Sequence, residues 1–294
     1  MITTTFSGTG VALVTPFDAQ GSIDFDALKN IIDHVIEGGV NFLVVMGTTG
    51  EAAVLTHSEK EELISRVKKY AGNRVPIVVG IGGNNTKLLT NEIENTDLDG
   101  ISGILSVSPY YNKPTQKGLY NHYKAISEVS PIPIILYNVP GRTAGNINAE
   151  TVLQLANDFS NITAVKEASG DMSQIMRIIK NKPEGFQVIS GDDAITLPLI
   201  SIGVEGVISV TANALPNQFS NMVNFALAGE FAKAKKEHYN FIEFTEALFN
   251  DGNPGGIKAA LEILDLCKQH MRNPLAPVTN YTYMKIKENL KKVI

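Results

Sequence analysis

Apolar and polar positions follow two alternating periods along the chain. Eight short apolar, β-rich runs, at residues 10–14, 41–46, 76–81, 101–107, 132–137, 162–166, 186–190 and 206–210, read as buried strands. Between them, segments such as 24–36, 58–70, 117–129, 149–157 and 172–180 repeat apolar residues at helical spacing and are long enough for crossover helices. Strand-helix units recurring every 20 to 35 residues or so predict an α/β fold, a parallel TIM (β/α)8 barrel with its helices outside. An open doubly wound sheet is the competing architecture, but no Gly-x-Gly-x-x-Gly follows the first strand. After about residue 225 the strand signal stops, and 229–248, 257–270 and 281–293 read as three helices. The expected organisation is a barrel over 1–225 and a C-terminal helical appendage over 226–294, with no flexible linker.

Composition narrows the partners. With 294 residues, 44% of them hydrophobic, the chain can bury a large core. A net charge of -5, with 25 Lys plus Arg and no basic run, argues against nucleic acid and anionic membranes and leaves small molecules. Met1 to Phe6 lack the basic region and long apolar stretch of a leader, and no run reaches the roughly 18 apolar residues of a membrane span, so the expected location is cytoplasmic. The one cysteine, Cys267, sits among Ile263, Leu264 and Leu266 and reads as a packing residue. The five histidines are scattered without metal-ligand spacing, so neither a metal nor another cofactor is expected.

In a parallel barrel the chemistry sits just beyond the C-terminal ends of the strands. Strand two runs into Gly47-Thr48-Thr49-Gly50-Glu51, whose hydroxyls and free N–H groups suit a small carboxylate or phosphate, although a plain turn is an equal reading. Strand four ends in Ser108-Pro109-Tyr110-Tyr111-Asn112 and strand five in Tyr137-Asn138-Val139-Pro140-Gly141-Arg142-Thr143. A rim tyrosine is more often packing than catalysis. Arg142 has no acidic neighbour in sequence and suits a substrate carboxylate or a structural ion pair. Strand seven ends in Ser190-Gly191-Asp192-Asp193, where an N-cap is a simpler account of the aspartates than a metal.

Strand six ends in Lys166. A lysine there is ordinarily a solvated terminator, yet it is the only lysine that ends a barrel strand. An ordinary lysine offers about one unprotonated amine in a few thousand at pH 7, so a nucleophilic one calls for partial burial, which a barrel mouth supplies. Such an amine condenses with a ketone into a Schiff base and acidifies the neighbouring carbon without a metal. The proton transfers need hydroxyls, for which Thr48, Tyr111 and Tyr137 are the candidates.

With these motifs, and with Val165-Lys166-Glu167-Ala168-Ser169-Gly170-Asp171 and Gly203-Val204-Glu205-Gly206-Val207-Ile208-Ser209-Val210, essentially the whole chain resembles the dihydrodipicolinate synthase family of pyruvate-dependent class I aldolases. The resemblance implies that Lys166 forms the Schiff base with pyruvate, and that Thr49, loop backbone groups and Ile208 hold the pyruvate carboxylate, with Gly191 also among the substrate-binding residues. It implies that Tyr137 is the central proton donor and acceptor, linked through Thr48 to a Tyr111 from a neighbouring subunit, and hence a homo-oligomer, tetramer or dimer. Arg142 favours L-aspartate 4-semialdehyde as second substrate, with N-acetylneuraminate lyase and keto-deoxy-acid aldolase as sibling activities, and a keto-acid-binding sensor as the non-enzymatic alternative. Lys60 and Leu88 stand where lysine-inhibited members usually carry a histidine and a glutamate, with Ala52, Ala53, His57, Asn84 and Tyr110 near the pattern. Weak or absent lysine feedback is therefore expected.

Overall fold

The computed structural model describes residues 6–294; Met1 to Thr5, within the stretch read as lacking a leader, lie outside the described residues. Eight strands, β1 (Gly8–Ala12), β2 (Phe42–Val45), β3 (Ile77–Gly80), β4 (Gly103–Val107), β5 (Ile134–Asn138), β6 (Ile162–Glu167), β7 (Gln187–Ser190) and β8 (Gly206–Ser209), close in sequence order into a barrel. The described ladders, from β1 with β2 to β7 with β8, are parallel. Strands covered on both faces need continuous rather than alternating apolar sequence, as in the fully buried Phe42–Val45. All eight expected strands are present, their ends shifted by a few residues.

The crossover helices form where the sequence caps them. His57–Ala71 begins at a capping box of Thr56 and Glu59 and ends at Gly72, whose φ of 57° completes the C-terminal turn. Phe25–Glu37 is capped by Asp24, whose side chain accepts from the Ala27 N–H. Asp192 accepts from the Ala194 N–H at 3.1 Å, the capping role expected of this aspartate pair. No helix among the described residues is long and apolar enough to cross a membrane.

The internal contacts divide into two compact units, one of Ile77–Ile208 with the end of the N-terminal segment, the other of Gly8–Pro76 and Ser209–Ile294. In the second unit, Pro216–Leu227 packs against β1 and against Phe25–Glu37. Gly38 permits this approach, because a Cβ there would lie 2.4 Å from Pro216 Cγ. Phe231–Leu248 then packs on Pro216–Leu227 and on Asn280–Val293. The helix expected over 257–270 is shorter, Gly255–Ile263. It stops because Asp265 turns left-handed (φ 57°), with the Leu266 N–H donating to Leu261 O and the Asp265 N–H to Glu262 O, a Schellman closure built on a residue other than glycine. Cys267 beyond it is buried, and burial pushes its thiol up to about 12, in keeping with a packing role.

In the first unit, His122 is 4% exposed; its Nδ1 lies 2.8 Å from Thr86 Oγ1, and its buried Nε2 has no partner among the described residues. Burial lowers its pKa from 6.5 to about 4. Protonation therefore favours the unfolded chain: this stability is full above 6.5, declines as pH falls from 6.5 towards 4 and then levels off. The decline is at most about 3 kcal/mol. Urea unfolding of His122→Gln should lose this part of the pH dependence, and an unchanged profile would contradict the assignment.

Candidate active site

Lys166 is the penultimate residue of β6, so strand alternation sends its side chain and that of Glu167 to opposite faces. It is only 6% exposed, not a solvated terminator. A register shift chooses its neighbour. Ile134 pairs with Ile162 but Ile135 with Ala164, so Thr163 is an extra residue on β6, and Lys166 comes to lie opposite Tyr137. Without that shift Lys166 would face Asn138. The amine sits 4.4 Å from the centroid of the Tyr137 ring, which is itself 7% exposed. This places a cation on a π face with the phenol of the same residue nearby.

Gly191 makes room for the lysine stem. A Cβ at this position would lie 3.0 Å from Lys166 Cε, 3.2 Å from Lys166 Cγ and 2.7 Å from Ala168 Cβ. Its N–H donates to Glu167 O at 2.8 Å, tying the start of the next loop to the end of β6.

Behind the amine, the carboxylate of Glu167 is 1% exposed and held by neutral donors. Asn138 Nδ2 lies 3.1 Å from both of its oxygens, and Gln174 Nε2 and the Ser169 N–H donate at 3.0 and 2.9 Å. Asn146 extends the network, accepting from Asn138 Nδ2 at 2.8 Å and donating to Gln174 Oε1 at 2.8 Å. Because Asn138 follows Tyr137 and Glu167 follows Lys166, these bonds clamp from outside the same register that aligns phenol and amine. Sequence reasoning missed this network; a Glu ending a buried strand directly after a lysine was the available signal.

Arg142 is exposed in the one-turn helix Pro140–Thr143 after β5. Among the described residues neither Arg142 nor Lys166 joins an ion pair within the chain. Ile208 is buried in β8 at 1% exposure. Tyr111 is 88% exposed at φ 72°, so the chain by itself does not bring it into a relay. Its loop is pinned at the base: Asn84 Nδ2 donates to Tyr110 O at 3.2 Å, and Asn112 Nδ2 to Asn84 O at 3.1 Å.

The threonine loop lies in the second unit. The Gly50 and Glu51 N–H groups donate to Gly47 O and Thr48 O, each at 3.1 Å, and Met46 and Glu51 take positive φ of 58° and 54°. Thr48 is exposed, whereas Thr49 is 2% exposed and its Oγ1 accepts from Asn253 Nδ2 at 3.0 Å. Glu51 closes the loop in a fully buried ion pair with Lys258 at 2.5 Å. Lys258 Nζ also donates to His270 O at 2.8 Å and lies 4.3 Å from the Phe17 ring centroid, while the Arg272 N–H donates to the other Glu51 oxygen at 3.2 Å. Burial pulls Lys258 below the usual lysine range, opposed by the Glu51 carboxylate. Sequence reasoning missed Asn253 and Lys258. A lysine inside Ile257-Lys258-Ala259-Ala260-Leu261 was a legible sign of a buried partner, but Asn253 sits in a Gly- and Pro-rich turn that reads only as a loop.

A buried strand-end lysine beside a phenol has the chemistry that an amine-dependent aldol reaction calls for. Residues 5–293 match the dihydrodipicolinate synthetase family. The 4-hydroxy-tetrahydrodipicolinate synthase of Parabacteroides distasonis is 49% identical over 286 residues, covering 97% of this chain and 96% of its own. Among solved structures, the dihydrodipicolinate synthase of Aquifex aeolicus superposes with a TM-score of 0.94 at 40% identity, covering 98% of each chain. The chloride-inhibited enzyme of Acinetobacter baumannii, complexed with pyruvate, does so at 0.95 and 37% identity, covering 98% of this chain and 99% of its own. Identity at this level over nearly the full length, together with the same closed barrel, means that the chain belongs to the dihydrodipicolinate synthetase family, as a lyase of the 4-hydroxy-tetrahydrodipicolinate synthase kind.

Proposed function

We propose that the protein condenses pyruvate with L-aspartate 4-semialdehyde to give 4-hydroxy-tetrahydrodipicolinate, with Lys166 as the covalent amine. The observation that carries this is the buried Lys166 amine held 4.4 Å from the Tyr137 ring by the β6 register shift. The amine attacks the pyruvate ketone and water is lost, leaving an iminium. Loss of a methyl proton gives an enamine, whose carbon attacks the aldehyde. The amino group of the second substrate then adds to the iminium carbon and displaces Lys166, which regenerates the free amine. Tyr137 passes protons in these steps, with Thr48 and a Tyr111 contributed by a second subunit extending the relay. Thr49, with the backbone of its loop and of Ile208, holds the pyruvate carboxylate, and Gly191 borders the bound substrate.

Support for the oligomer is the exposed Tyr111 on its anchored loop: a tyrosine 88% exposed in one chain gains a role when a second chain, in a dimer or tetramer, receives it. The unpaired Arg142 favours an aldehyde that carries a carboxylate over a polyhydroxylated sugar acid. Arg142→Ala should raise KM for the semialdehyde about tenfold or more while leaving pyruvate trapping unchanged; equal loss for both substrates would contradict its assignment. Turnover with the semialdehyde, compared with cleavage of N-acetylneuraminate and of a keto-deoxy sugar acid, tests the reaction itself, and preferential cleavage of either sugar acid would overturn it. The reaction is assigned to the cytoplasm.

Lysine feedback is weak or absent in this proposal. Leu88, 65% exposed on the helix Thr86–Asn95, offers no anion to a diammonium ligand, and Lys60 adds a like charge. Steady-state rates should stay unchanged at micromolar lysine, and strong inhibition there would contradict the proposal.

A further inference from the structure

The segment 253–258 grips the threonine loop at two points. Asn253 reaches Thr49, and Lys258 reaches Glu51 two residues further along. The second contact is a buried ion pair that fixes where the loop ends. The first determines what the loop can offer a ligand, because a hydroxyl has one proton and its direction follows from what else the oxygen binds. Asn253 presents its NH2 edge to Thr49 Oγ1 at 3.0 Å, so the threonine oxygen is an acceptor in this contact. Its own proton is thereby left to donate elsewhere. The other edge of the carboxamide, Asn253 Oδ1, is buried with no hydrogen-bond partner among the described residues, so the contact with Thr49 is the carboxamide's one hydrogen bond there. Were the acceptor edge turned to Thr49, the hydroxyl proton would be consumed there and a lone pair would face the ligand. That polarity repels a carboxylate.

We infer that Asn253 is a positioning residue that sets the polarity of the Thr49 hydroxyl, so that its O–H donates to the carboxylate of the keto-acid substrate. This rests on the carboxylate-binding role proposed above for Thr49. It adds a specificity element supplied by the C-terminal part of the chain: the loop selects an anion because Asn253 keeps it a donor.

The test uses the pyruvate concentration that gives half-maximal borohydride trapping, a binding readout independent of turnover, in the full-length protein. Asn253→Ala frees the hydroxyl and should raise this concentration several-fold. Asn253→Asp replaces the donor by an acceptor that takes the Thr49 proton and should raise it at least about tenfold. Both effects should shrink in a Thr49→Val background, where no hydroxyl remains to orient, although the added charge of the aspartate keeps a residual effect there. Thermal unfolding is followed in parallel, and Asn253→Ser stands in should either variant fail to fold. Unchanged half-saturation in the folded variants, or an Asn253→Ala effect of equal size with valine at position 49, would overturn the inference. Failure of the native protein to trap pyruvate would instead overturn the function on which it rests, so the two failures are distinguishable.

Discussion

Lys166→Ala should lower kcat by more than about 1,000-fold while leaving the fold intact. The size follows from the number of steps that depend on this one amine in the proposed reaction, where it forms the iminium, draws electrons from the methyl carbon and leaves only when displaced. No neighbouring group replaces it, because its close neighbour at the end of β5 is a phenol and the strand opposite it in β7 carries Ile189. The stem packs against Gly191, so truncation opens a small space rather than forcing a clash. Circular dichroism and thermal unfolding should remain close to native, and the coupled assay with both substrates should show the loss. A variant retaining more than a few per cent of activity would mean that Lys166 is not the covalent group.

Lys258→Met carries the largest expected cost in stability, about 3–5 kcal/mol. The Lys258 and Glu51 side chains are both fully inaccessible and lie 2.5 Å apart. Methionine fills similar space but leaves the Glu51 carboxylate buried with the Arg272 N–H still donating to it and its cationic partner gone. Removing both charges, as Glu51→Leu with Lys258→Met, should recover much of the loss, because the uncompensated charge rather than the missing bridge dominates. Urea unfolding of the two single variants and the double variant measures this directly. A single variant within about 1 kcal/mol of native would show that the pair is better solvated than its burial implies. Because Glu51 ends the loop that carries Thr49, the single variants should also bind pyruvate more weakly.

Much of the fold is written in apolar periodicity, and the reasons for what is not are physical. The strands announce themselves because a parallel barrel buries both faces and so demands unbroken apolar runs such as Phe42–Val45. Sequence reasoning missed the helix Pro216–Leu227, although Phe219, Met222, Val223 and Ala226 keep helical spacing after a proline at its first turn. The early end of Gly255–Ile263 was hidden because its left-handed turn uses Asp265, where sequence reasoning looks for glycine.

Each candidate lies in or just beyond the C-terminal half of a strand and could be named from sequence. What could not be read was which of them meet. Lys166 faces Tyr137 only because Thr163 is an extra residue in the β6 ladder, and nothing in Ile162-Thr163-Ala164-Val165 marks a bulge. The groups that hold the site, among them Asn138, Glu167 and Asn253, are polar residues satisfied by distant partners, and polarity alone does not separate them from surface positions.

The most direct measurement of the central claim is borohydride reduction of the native protein in the presence of pyruvate, followed by peptide mapping by mass spectrometry. One pyruvate-derived adduct is expected, on the peptide that contains Lys166, absent when pyruvate or borohydride is left out. An unmodified Lys166, or an adduct on another of the chain's lysines, would contradict it.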